Sequence, residues 1–267
     1  MEEIKKTNRK KNNKTLLIIL VILLLLVSGI IIFFCTRDND TYSLKGTLKG
    51  GENNILVLME MEGDGVKAID TIHLDSKGKF SATEQIKEPG LFILQGENDY
   101  VMICPSKKEK INIEGDFYDL SLSCSVTGSK ESQNLRLLID RQKKTGLILK
   151  AIQNEWDMAA PEQKDSLWVV NKEKFRQLHK AEKDFLKNYI AEHSGSLTTI
   201  PALYTTVMNN PIFSPDQDFA VYQKVLKGLE KTLPSNKHTI NLREFIKKVE
   251  LSQQAIPASI TDNATKN

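Results

Sequence analysis

Few side chains in this 267-residue chain could do redox, metal or hydrolytic chemistry: it holds three cysteines and four histidines. Cys35, Cys104 and Cys124 are widely separated, and none belongs to a C-x-x-C pair. The sequence therefore spells neither a redox dithiol nor a zinc ribbon, and its sparse cysteines exclude a disulfide scaffold. If Tyr100–Cys104, Lys110–Glu114 and Leu120–Val126 form a three-strand meander, Cys104 and Cys124 lie on its outer strands. Two inter-strand spacings come to nearly ~10 Å, beyond the roughly 7 Å Cα limit for a bridge, so buried free thiols are expected.

His179 and Glu182 stand at i, i+3 and face the same way on a helix, a spacing that can ligate a metal. A di-metal bundle needs a second such pair and two further carboxylates. Here the pair is flanked by Lys180 and Lys183, and a solvated helix surface is expected. His73, near Asp70 and Asp75, is isolated within a strand. No serine sits in a nucleophile elbow. The glycines Gly46, Gly50, Gly51, Gly63, Gly65 and Gly78 fall in turns or strand ends, with no lysine and hydroxyl pair to make a phosphate loop. Tyr204, Ile212 and Phe213 could line a groove between helices, although core packing explains such residues more often. No catalytic, cofactor-binding or metal-binding residue is assigned, no cofactor is expected, and the chain reads as a non-enzyme.

The elements that would carry these residues divide the chain in two. Residues 42–128 read as β, with candidate strands Tyr42–Lys49, Ile55–Met61, Val66–Leu74, Phe80–Ile86, Leu91–Gly96, Tyr100–Cys104, Lys110–Glu114 and Leu120–Val126. Several alternate apolar and polar residues, and Gly, Asp and Pro clusters separate them. About eight short strands at this spacing predict an antiparallel β-sandwich or open barrel. Residues 129–253 read as an all-α subdomain of four to five helices, so the fold class is α+β. The first helix carries Leu135, Leu138, Ile139, Gln142, Leu149, Ile152 and Trp156, with a slack turn at Thr145-Gly146. The second runs from about Glu162 to Ala191 and a short one from Leu197 to Met208. Ser214-Pro215-Asp216-Gln217 reads as a capping box opening a helix to Leu233, and the last helix covers about Thr239–Gln253. Residues 254–267 read as a polar tail.

Before the β part, Leu16 to Cys35 is twenty residues without a charge, enough to span the roughly 30 Å core of a bilayer as a single transmembrane helix. Residues 1–15 form a basic tail whose six cations outnumber Glu2 and Glu3. The positive-inside rule keeps that tail cytoplasmic and exports everything after a short spacer at residues 36–41. The run is long for a cleaved signal peptide, and Phe34 stands where lipidation at Cys35 would want a small residue. A single-pass signal anchor in the cytoplasmic membrane, with a periplasmic C-terminal part, is the expectation. From residue 15 onward the chain holds 31 basic and 32 acidic side chains, which speaks against a nucleic-acid partner.

Several runs occur together here: Leu44-Lys45-Gly46-Thr47-Leu48, Ile69-Asp70-Thr71-Ile72, Gly78-Lys79-Phe80, Glu88-Pro89-Gly90-Leu91-Phe92 and Val126-Thr127-Gly128-Ser129. Asn188-Tyr189-Ile190, Ser194-Gly195-Ser196-Leu197, Asp218-Phe219 and Leu233-Pro234-Ser235 follow. Over roughly residues 42–250 this resembles the N-terminal domain of unknown function and helical segment of envelope thiol–disulfide oxidoreductases of the TlpA/ResA kind. The resemblance implies a β-rich domain, then helices, then a thioredoxin domain bearing W-C-x-x-C. No W-C-x-x-C occurs in the sequence, so no catalytic residue carries over. Two readings follow: a membrane-tethered, non-catalytic interaction or substrate-presenting module, or a truncated or split oxidoreductase whose thioredoxin domain is missing or on another chain. An envelope thioredoxin-like protein is the candidate partner of either, and the inner membrane holds both through Leu16–Cys35.

Overall fold

The computed structural model describes residues 40–63 and 65–254. The expected anchor at residues 16–35, with Cys35, and the expected tail at 255–267 lie outside the described residues, and no described helix is long and apolar enough to cross a membrane.

Eight strands build two facing four-stranded sheets. They are β1 (Thr41–Lys49), β2 (Ile55–Glu62), β3 (Gly65–His73), β4 (Lys79–Gln85), β5 (Phe92–Gln95), β6 (Tyr100–Ile103), β7 (Lys110–Asp116) and β8 (Ser125–Thr127). One sheet has the order β4-β1-β7-β8, the other β3-β2-β5-β6. Period-two alternation puts Tyr42, Leu44, Leu56, Leu58, Ile111 and Ile113 between the sheets, each under 2% exposed.

The pairing differs from the expected antiparallel sandwich in one place. β1 and β7 run parallel, Ser43 opposite Lys110 through Lys49 opposite Asp116. Between them the chain forms β2 to β6, passing to the second sheet twice and back through β4, and that long connection permits parallel pairing. The expected meander also fails: β6 pairs with β5 in one sheet, and β7 pairs with β8 in the other. The expected strand Leu120–Val126 shortens to β8, because Leu120–Ser123 forms a single helical turn, α1. Its alternating Leu-Ser pattern mimics a strand, but the turn is held from outside. Asp99 accepts the Ser121 amide, and Arg136 donates to the Ser121 and Leu122 carbonyls.

Five helices follow: α2 (Lys130–Met158), α3 (Lys164–Glu192), α4 (Thr199–Leu203), α5 (Phe219–Thr232) and α6 (Lys237–Gln254). Ser129 caps α2 by accepting the Ser132 amide. Gly128, at φ 84°, turns the chain from β8 into that helix, and a side chain there would stand 1.9 Å from the Lys110 carbonyl oxygen.

Three expected helix features are corrected. α2 passes through Thr145-Gly146 without a break. The Leu197–Met208 segment keeps only α4 and then enters a two-stranded hairpin, β9 (Thr206–Val207) and β10 (Asn210–Pro211), whose turn puts Met208 and Asn209 at positive φ. Ser214-Pro215-Asp216-Gln217 forms a turn closed from Asp218, whose amide donates to the Ser214 carbonyl and whose carboxylate accepts the Ser214 amide. α5 therefore begins only at Phe219.

Two cores result. One lies between the sheets. The other joins the helices to the outer side of the second sheet, where Leu91 and Cys104 are buried with Leu135, Leu138, Leu186 and Phe213. Polar contacts fasten the same junction: Asn236 donates to the Pro89 carbonyl at 2.8 Å, and Lys237 meets Glu60 at 2.6 Å.

Candidate functional site

Cys104 and Cys124 are the thiols among the described residues. Cys104 is 0% exposed and Cys124 2%, and both are free. Burial, with Glu131 and Glu109 nearby, pushes the Cys104 thiol far above its ordinary range. Cys124 lies against Gly115, which leaves no room for a Cβ beside its sulfur. Burial raises its pKa to about 11 even though Arg136 and Lys143 pull the other way. A thiol that stays protonated and out of reach of solvent neither attacks a disulfide nor holds a metal.

The His179–Glu182 pair does not assemble as a solvated surface. Glu182 is 1% exposed and turned into the α2–α3 contact. Its Oε1 accepts from Arg141 Nε at 2.7 Å and from Thr145 Oγ1 at 2.6 Å. Arg141 and Thr145 stand at i, i+4 on one face of α2, the spacing that lets both reach one carboxylate. That spacing was the available signal in the sequence. Among the described residues no group of three or more His, Cys, Asp or Glu is arranged to hold a metal. Ile212 and Phe213 are core residues, while Tyr204 is half-exposed and stands edge-on to Tyr222 and Phe245. His73 ends β3 on the surface. Asp75 closes the next turn by accepting the Lys77 and Lys79 amides, which hold its carboxyl below the usual range.

The Glu182 clasp marks the base of a two-helix arm. Between Asp140 on α2 and Asp184 on α3, neither helix contributes a residue to either core. Beyond the clasp the helices meet through the Lys174–Glu155 ion pair at 2.9 Å and the Trp156–Trp168 edge contact with ring centroids 6.4 Å apart, and Ile152 is buried. Leu147, Ile148, Met158, Trp168, Val169 and Val170 are all exposed.

One flank of this arm is concave. Near the body, Leu137, Asp140 and Lys144 of α2 face Phe185, Asn188 and Glu192 of α3 across a cavity of about 540 Å³. Further out, Ile148, Ala151 and Glu155 face Lys174, Leu178 and Ala181 across a second of about 540 Å³. Lys144 to Ile148 and Phe185 to Ala181 are each one turn apart, so the two cavities are one groove on one flank. Its body end is polar and its outer end apolar. From Leu137 to Glu155 it runs about 27 Å at 1.5 Å per residue. Tyr189 and His193 also line its body end, and Lys174 pairs with Glu155 at its outer end at 2.9 Å.

Residues 42–135 match the model of a domain of unknown function, DUF4369. The matched span covers the sandwich and the first turns of α2, and stops before the arm. No curated protein matches the chain.

Proposed function

We propose that this chain is a membrane-tethered, exported, non-catalytic interaction or substrate-presenting module, related to the accessory half of envelope thiol–disulfide oxidoreductases. The observation that carries this reading is the pairing of shielded thiols with a core-free, grooved arm: both described cysteines are buried, and a concave surface lies between α2 and α3. The uncharged run Leu16–Cys35 behind a basic tail supports the tether, with residues 1–15 cytoplasmic and the β and α parts in the periplasm. An envelope thioredoxin-like protein is the partner this reading favours.

An insulin-reduction assay on the chain, together with carbonate extraction and mass spectrometry of its N-terminus, tests the reading. No turnover, resistance to extraction and an unprocessed N-terminus are expected. Turnover that disappears in Cys124→Ser would make the chain an oxidoreductase, and a mature start at a diacylated Cys35 would replace the anchor by a lipid.

The second reading, a truncated or split oxidoreductase, draws on the family match to the β part. It predicts that W-C-x-x-C is encoded just downstream, in another frame or in the next gene.

A further inference from the structure

We propose that the outer face of the β4-β1-β7-β8 sheet rests on the anionic bilayer that holds the tether. The inference rests on the membrane-anchor part of the reading above and adds a surface, a lipid class and an orientation.

Strand alternation builds this face. Along β1, β4, β7 and β8 one set of side chains enters the sandwich and the other points outward. The helices pack on the outer side of the other sheet. Lys45, Lys49, Lys79, Ser81, Thr83 and Lys110 are accordingly all exposed. The register spreads the cations among short polar side chains. Lys45 stands opposite Ser81 and Asn112, Lys79 opposite Thr47, and Lys110 opposite Ser43.

Charge selects the occupant. The outward positions hold Lys45, Lys49, Lys79 and Lys110 against two acids, Glu114 and Asp116. Both acids lie towards one end of β7 and already accept hydrogen bonds, Glu114 from the Asn112 amide group and Asp116 from the Tyr118 backbone. Among the described residues the four lysines form no ion pair; the nearest pair is Lys107 with Asp40, on the rim. At that rim Lys87, Lys108 and Lys130 are exposed as well, and Glu109 accepts the Ser106 amide. At the opposite rim Asp75 is offset by Lys77 and Lys79. This surface is therefore cationic in a chain that from residue 15 onward has one more acid than base. A second copy laid on it would set lysine against lysine. Nucleic-acid bases are held by stacking on aromatic side chains, and the outward positions hold none. A bilayer asks only for a broad cationic surface.

The tether makes a modest charge sufficient. Asp40 starts β1 at the rim that carries Lys87, Lys107 and Lys108, since its carbonyl accepts the Ile86 amide and the Thr41 carbonyl accepts the Lys108 amide. It follows the expected anchor by five residues, a reach of at most about 18 Å. Each lysine near an anionic surface favours contact by roughly fivefold, which is weak for a free protein. A short tether turns the contact into an intramolecular one. The lysines then decide which way the domain lies: the sheet faces lipid, and the helical layer faces away from it.

The full chain is placed in nanodiscs of neutral phosphatidylcholine, and in discs with about one third phosphatidylglycerol. An uncharged amine-acetylating reagent is added, and mass spectrometry reads the rate at each lysine. Lys45, Lys49, Lys79 and Lys110 should react about fivefold more slowly in the anionic discs, and about 0.5 M salt should restore the rate. Lys227 and Lys247, exposed on α5 and α6, should not change. Lys45→Glu with Lys79→Glu should return Lys49 and Lys110 to their neutral-disc rates, whereas Lys227→Glu with Lys247→Glu should leave them protected. Circular dichroism confirms that each variant is folded. Equal rates in the two lipids overturn the proposal, as does equal slowing of Lys227 and Lys247. Polygalacturonate added to neutral discs overturns it too if it protects the face as strongly, because the partner is then an acidic glycan. A chain that does not enter the discs refutes the anchor and this proposal together. A chain that enters with its face unprotected refutes this proposal and leaves the anchor standing.

Discussion

The amide of Cys104 donates to Ser132 Oγ at 3.0 Å, across 28 residues of sequence. Ser129, the cap of α2, donates in turn to the Cys104 carbonyl at 3.3 Å. The two serines that start the helical part thus complete the backbone hydrogen bonding at the end of β6. Ser196, bonded to Glu131, and Tyr189, bonded to Thr198, extend the polar network beside this junction.

Because the cap, the strand end and the second core are shared, the β and α parts should unfold together. A single calorimetric transition is expected for a fragment starting at residue 36. Leu138→Ala, which empties a fully buried site in the shared core, should cost about 3 kcal/mol and lower that one transition. Two separated transitions, with only one of them moved by the variant, would show the parts to be independent.

The Glu182 clasp should hold the base of the arm. Arg141→Ala leaves a carboxylate that is 2% exposed with only Thr145 as partner, whereas the arginine itself is 35% exposed. Water can reach part of the vacated space, so a loss of about 2 kcal/mol in urea unfolding is expected, below the full penalty for an orphaned buried charge. Glu182→Gln keeps an acceptor for both donors and should cost less.

Alkaline pH should destabilise the fold through Cys124. Its thiol is raised from 9.0 to about 11. The unfolded chain releases this proton first, so the stabilisation is complete below pH 9 and is lost as pH rises towards 11. Urea midpoints at pH 8 and 10.5 should differ less in Cys124→Ala than in the parent chain.

Acid acts through His238 with the opposite sign. Burial and the adjacent Lys237 lower its pKa from 6.5 to about 4, against the pull of Glu60. The unfolded histidine takes up a proton that the folded one refuses, so this contribution is present above pH 6.5 and lost as pH falls to 4. A His238→Gln variant, compared with the parent at pH 7 and pH 4.5, should show a smaller fall in urea midpoint on acidification.

Gly128→Ala should be among the most damaging single changes. It combines a left-handed backbone with a Cβ 1.9 Å from the Lys110 carbonyl oxygen, and a loss of at least about 3 kcal/mol is expected from strain and forced displacement. Normal thermal stability of this variant would mean that the β8-to-α2 turn can be rebuilt.

What the sequence determined by itself was local and periodic. Alternation along Lys110–Glu114 marks which side chains enter the sandwich, and Ile111 and Ile113 are there. The 3.6-residue stripe through Leu135, Leu138 and Ile152 marks the buried face of α2. Such features depend on neighbours within a few residues, so the chain carries them wherever it is placed. The tertiary structure alone decided three things. It turned Leu120–Ser123 from an alternating strand into a helical turn, because Arg136 and Asp99 supply its hydrogen bonds from distant elements. It paired β1 with β7 in parallel, since neighbours in a sheet need not be neighbours in the chain. It drew Glu182 inward, because a carboxylate on a charged helix leaves water only when donors such as Arg141 and Thr145 arrive opposite it from another helix. The groove belongs to this last class: each wall is an ordinary amphipathic helix, and only their approach at the clasp makes a concave surface between them.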